Sequence, residues 1–310
     1  MLLTIFCWLA LILFLALSIR KALYFARMPM HGRQELYPVP LNTEERNKYG
    51  GSYMEDDKWY EKKRHHNQKG MLIDMLGEML FIKKLFVHQN KFWWVSYSLH
   101  LGIYAALAWT VLLFFAAFST PGSVFYTIWY VLITIAGAVA GVLMTFGALG
   151  LIYKRMFVYE FKIYTTPQEL FNLFFLLAVA VTGLLCWVFN GFSFVYAIGI
   201  IEAMIGMKPL MAVLGAMGVQ STGIVLIHIL LLGLVMIYIP LTKMSHYVGK
   251  FFTFHNVLWD DEPNLPGSKI EKRIIEEANI KPAPGKNWAA PHYQPAPVVQ
   301  EEAPKEEAAE

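Results

Sequence analysis

The chain has 310 residues, of which 56% are hydrophobic and 16% charged, with a formal net charge of +3. A soluble domain is nearer 45–50% apolar and about 25% charged. Here the charges leave whole stretches empty, as membrane-spanning helices require, and so small a net charge gives nucleic-acid binding no support. The two cysteines, Cys7 and Cys186, sit in apolar runs with no CxxC or CxxCH, so this chain alone builds no iron–sulfur cluster, zinc site or c-type haem.

In chain order, five segments reach the roughly 20 apolar residues that a spanning helix needs: about 1–19, 92–118, 123–153, 168–191 and 219–242. The expected fold is an all-α, five-transmembrane-helix bundle. The first run has no basic residues before it and is followed by Arg20 and Lys21, so it reads as a retained anchor (1–24) and not a cleaved signal. Residues 25–91 form a polar loop with Tyr37-Pro38-Val39-Pro40 and His65-His66. Within it, 71–88 has apolar residues at helical spacing, interleaved with Asp74, Glu78, Lys83 and Lys84, an amphipathic helix for the membrane surface or a partner. Residues 92–246 make a four-helix transmembrane core. Its stretch 192–218 is apolar but broken by glycines and Lys208-Pro209, and reads as an interfacial or re-entrant segment. From 247 to 310 a docking segment passes into a Pro/Ala/Glu-rich tail of disordered composition.

Every Lys and Arg except Lys208 falls in the loop after the first span, the third-to-fourth connection or the C-terminal tail. By the positive-inside rule these are cytoplasmic and the N-terminus is outside.

Of nine histidines, His100, His228 and His246 lie in or at the ends of spans. An imidazole in hydrocarbon must satisfy its polar nitrogens, so such residues are functional candidates. Histidines on two different helices suit axial ligation of haem b, which needs nothing covalent from the chain. Depth alone does not pair them. His100 is about 13 Å past Lys91 and His228 about 22 Å before Lys243 at 1.5 Å per residue, while His246 lies just beyond Lys243.

The segment Ser98-Leu99-His100-Leu101-Gly102 resembles the first haem-binding helix of the gamma subunit of respiratory nitrate reductase. So does the fifth span, where His228 is followed by Pro240, Thr242, Lys243 and, eighteen residues on, His246. The likeness covers roughly 92–250. The continuation Phe251-Phe252-Thr253-Phe254-His255 and Val257-Leu258-Trp259-Asp260-Asp261-Glu262-Pro263 is similar to cytochrome b subunits of dissimilatory sulfite reductase-associated, heterodisulfide-reductase-like membrane complexes.

The resemblance implies a cytoplasmic-side haem b between His100 and His246, and an outer haem on His228 with a second histidine ten residues after His100. That position is Thr110. The outer haem would then rest on His228 alone or with a non-histidine ligand, or be missing, or the pairs would shift to His88–His246 and His100–His228. A retained outer haem on His228 is the expectation, giving two haems b and at least one.

The function so implied is electron exchange between menaquinone or another quinone and a cytoplasmic iron–sulfur subunit of heterodisulfide-reductase type, alongside further membrane and periplasmic redox subunits. It would operate in the cytoplasmic (inner) membrane of a prokaryote, in contact with the lipid bilayer. Lys243 is a candidate partner for a haem propionate. The competing readings are a transporter or channel that relays protons through histidines, and an anchor without haem. Against the first, the second to fifth spans contain almost no charge and no inverted repeat; the second leaves the placed histidines unexplained.

Overall fold

The computed structural model describes residues 1–27 and 68–258, which are α-helical and contain no strand among the described residues. The polar loop with His65-His66 and the Pro/Ala/Glu-rich tail lie outside them.

The helices run in the order α1 (Leu2–Ala26), α2 (Gln68–Phe81), α3 (Lys83–His88), α4 (Asn90–Ala117), α5 (Val124–Phe157) and α6 (Tyr159–Lys162). They continue as α7 (Pro167–Phe189), α8 (Val195–Ile205), α9 (Leu210–Ala216), α10 (Thr222–Tyr238) and α11 (His246–Leu258). Five of these stretches are long and apolar enough to cross a membrane: α1, α4, α5, α7 and α10 with the turn that extends it to Leu241. Apolar side chains such as Leu9, Ile12, Leu107, Ile135, Leu149 and Leu234 cover their outer faces. That surface belongs in lipid. The chain is an all-α bundle of five membrane-spanning helices.

The long helices pack side by side as α4, α5, α7, α10 and α1. The α4–α5 seam is close because small residues line it. A Cβ on Gly102 would stand 2.6 Å from the Met144 backbone nitrogen, and one on Gly147 would fall on the backbone of Leu99. Small residues of this kind let membrane helices approach closely where lipid offers no hydrophobic drive. With 34 residues α5 is about 51 Å long at 1.5 Å per residue, so it carries Lys154 and Arg155 beyond an apolar core of roughly 30 Å.

One end of the bundle collects the cations. Lys154 Nζ donates to the Lys91 carbonyl (2.8 Å), and Arg155 and Lys243 both face Glu169, at 3.5 and 3.7 Å. Glu169 is held by a reciprocal capping box with Thr166 at the start of α7, where Pro167 fits the first turn. At the other end, α8 and α9 fold back against α4, α5, α7 and α10. At 11 and 7 residues neither can span a bilayer. Gly191 and Gly218, at φ of 70° and 67°, turn the chain into and out of this segment, where a side chain would be strained. Helix α1 joins here through Thr4, whose hydroxyl donates to the Lys208 carbonyl (2.7 Å) and accepts from Leu210 N–H (3.2 Å), and through Trp8 to the Met204 carbonyl (2.9 Å).

Two expectations change. The helix read over 71–88 is two helices, broken at Ile82, which adopts φ 50° in the left-handed region. The acidic residues of α2 face inward: Asp74 and Glu78 are buried, whereas Leu72, Ile73, Leu76, Leu80 and Phe81 are exposed. The carboxylates are neutralised by partners, Asp74 by Lys83 and Glu78 by Lys250, each at 3.3 Å. A buried charge persists only when paired in this way.

Candidate functional site

The site at the cationic end begins with Pro240. Lacking an N–H and clashing with the preceding turn, proline ends a helical ladder, and α10 stops at Tyr238 in a 3-10 turn, Ile239–Leu241. Thr242 is extended, and its hydroxyl accepts from Met244 N–H (3.3 Å), opening a second 3-10 turn over Lys243–Ser245. Ser245 closes it by donating to the Thr242 carbonyl (2.7 Å). The chain thereby turns off the α10 axis, and His246 becomes the first residue of α11.

This brings His246 to His100. The ring centroids are 6.1 Å apart and the planes inclined by 59°. Each ring has its Nδ1 near a backbone carbonyl, His100 at 2.7 Å from Ser96 O and His246 at 3.2 Å from Lys243 O. With Nδ1–H donating there, Nε2 is the lone-pair nitrogen of each ring. A histidine ligand whose other nitrogen donates to a carbonyl has its tautomer and orientation set in advance. An imidazole–metal bond is about 2 Å and the ring centre about 1 Å further back, so rings trans across a metal stand about 6 Å apart. The pair has the donor chemistry that haem iron would take, with His100 half-buried and His246 exposed.

Other elements hold the two histidines. On the His246 side, α11 is tied to α2 by Lys250–Glu78 (3.3 Å), and to α1 by the Ser18–Tyr247 hydroxyl contact and the stacking of Phe14 on Tyr247 and Phe25 on Phe252. On the His100 side, Tyr104 OH donates to the Met79 carbonyl of α2 (2.6 Å) and Trp93 Nε1 to that of Phe81 (2.8 Å). Glu78 also accepts the Lys84 N–H at the start of α3 (2.9 Å). One buried carboxylate thus joins α2, α3 and α11.

His228 lies elsewhere. Its Nδ1 is 3.1 Å from Thr182 Oγ1 on α7, and its ring packs on Gly183, where a Cβ would stand 3.0 Å from Cε1. Thr110 is exposed on α4 and donates to the Ala106 carbonyl (2.9 Å), so the position ten residues after His100 faces outward. His88 is exposed at the end of α3. Neither is brought to His228 or His246. Lys243 pairs with Glu169 beside the turn. Among the described residues no three His, Cys, Asp or Glu side chains converge as a self-contained metal site.

Sequence reading passed over Lys250, Thr182 and Glu169, and took Glu78 only as part of the polar face of an amphipathic helix. Glu169 had a local signal, Thr166-Pro167 followed by Glu at the third helical position. The Glu78–Lys250 pair, 172 residues apart in the chain, had none.

No protein-family model matches the sequence, no curated protein matches it, and no solved structure matches its fold.

Proposed function

We propose that this chain is the membrane cytochrome b subunit of a quinone-linked respiratory complex, related to the nitrate reductase gamma-subunit superfamily and its sulfite reductase-associated branch. The observation that carries the reading is the His100–His246 pair. Two imidazoles on separate helices, their ring centres 6.1 Å apart and each with Nδ1 at a backbone carbonyl, would be the residues that hold the haem iron. A histidine relay would place those nitrogens on a continuous hydrogen-bonded path, and a plain anchor gives them no task.

Bound there, haem b supplies a one-electron carrier at the end of the bundle. A quinol gives up two electrons and two protons, so its oxidation proceeds as two single-electron steps, with both protons released where the quinone binds. Quinone reduction runs the same balance backwards. The protein would hold the ligands through the Pro240–His246 turn and the α2–α11 brace. The distribution of Lys and Arg supports a cytoplasmic cationic end, and on this reading the membrane is the inner membrane of a prokaryote. An iron–sulfur partner of heterodisulfide-reductase type would dock there on α11 and the following segment, with further membrane and periplasmic subunits completing the complex.

The test is reduction of the purified protein by a soluble menaquinol analogue, followed optically. A b-type band that appears with the quinol and disappears on reoxidation is expected. A colourless preparation would refute the reading.

A further inference from the structure

Resting on that reading, we infer that the chain holds one haem only, at the cationic end, and that His228 is a hydrogen-bonding tie between α7 and α10 and not an axial ligand. The two halves of the bundle are filled differently. In the half away from the cations, one continuous core joins Leu113 and Ala116 of α4, Ile133 of α5, Cys186 of α7 and Val225 and Ile229 of α10. The inserted helices α8 and α9 complete it, with Ile198, Leu210 and Leu214 almost wholly buried. The cavity of about 220 Å³ in this half opens at the chain reversals, where Asn190, Ser193, Gly218 and Gln220 line it, and His228 is not part of its lining; around His228 the core is closely packed. His228 lies on α10 between Val225 and Ile229, two members of that core.

Its surroundings agree. The Thr182 hydroxyl reaches the Ala178 carbonyl at 2.7 Å and His228 Nδ1 at 3.1 Å, closing a small network across the α7–α10 seam. Gly183 is the position that admits the ring, since a Cβ there would stand 3.0 Å from its Cε1. Among the described residues no second histidine is paired with it, and the matching position on α4, Thr110, faces outward. At the cationic end one buried cluster joins α4, α5 and α7, through Leu99, Ala148, Leu151, Ile152 and Leu173. It stops short of α10 and α1, on the side where His100 meets His246. With no carrier in the far half, quinone must meet the haem at the cationic end, and quinone chemistry and partner docking share one side of the bilayer.

The experiment is haem b per chain by pyridine haemochrome on the purified protein and on His228→Asn, whose amide can keep the bond to Thr182 but does not ligate haem iron. One haem per chain in both, with the same low-spin paramagnetic resonance signal and the same optical band, is expected. Two haems in the unaltered protein, or loss of haem or of the low-spin signal in His228→Asn, would overturn the inference. No haem in the unaltered protein would overturn the reading beneath it instead. The count on the unaltered protein decides even if the variant fails to fold.

Discussion

His246 stands beside His100 because of the six residues before it. Pro240 ends α10, Thr242 caps the new turn, Ser245 closes it, and the imidazole follows at the start of α11. Restoring the missing N–H should let α10 run on and carry residue 246 away from α4. Pro240→Ala is therefore expected to lose most of its haem while still inserting in the membrane, as read by the ratio of Soret to protein absorbance; full haem occupancy would show that the turn does not set the ligand. Away from the ligands, Tyr238 OH donates to the buried Asn172 amide oxygen (2.8 Å). Interhelical hydrogen bonds in membranes average about 0.6 kcal/mol, and a buried acceptor left unpaired costs about 1–3 kcal/mol. Tyr238→Phe should lower the melting temperature by a few degrees with the haem spectrum unchanged, and a spectral change would mean that this bond reaches the ligand site. At this scale the sequence was informative: an intramembrane histidine and a proline-threonine-lysine turn are chemically unusual, so both ligand candidates were visible. Depth alone did not pair them, since rise per residue measures depth and a broken helix leaves its axis; only the resemblance put His100 with His246.

Two contacts between elements carry the ligands. The α4–α5 seam closes on Gly102 and Gly147, and Gly147 abuts Leu99, the neighbour of His100. Gly147→Leu should force the helices apart and shift His100, lowering haem occupancy several-fold; a variant with full occupancy would remove the seam from the account. The α2–α11 brace includes the ion pair of Glu78 with Lys250, buried on the carboxylate side and about a third exposed on the other. Breaking a fully buried pair from one side costs about 3–5 kcal/mol, and this partly exposed one costs less. Glu78→Lys should weaken haem retention, and Glu78→Lys with Lys250→Glu should restore much of it; equal loss in the single and double variants would mean the pair does not brace the site. The spans were legible in the sequence because lipid demands about 20 apolar residues in a row. The inward face of α2 was not, because the pattern of an amphipathic helix does not say which side meets protein. The residues that settle it lie beyond the break at Ile82, in α3, and in α11, 172 residues from Glu78.

For the molecule as a whole, the five-helix architecture follows from apolar length alone, and the crowding of Lys and Arg at one end marks its polarity. A fluorescent protein fused after residue 310 should therefore fold and fluoresce in the cytoplasm, and one that stays dark while a periplasmic reporter is active would invert the topology. The division of labour between the halves was beyond the sequence. Residues 192–218 looked like a break in the pattern and instead supply side chains that fill the far half, through Phe194, Ile198, Leu210 and Leu214. The measurement that bears most directly on the proposed cytochrome b is the reduced-minus-oxidised spectrum of purified His100→Ala beside the unaltered chain. The account predicts a b-type band in the unaltered protein and its loss in the variant. No band in either, or the same band in both, would contradict it.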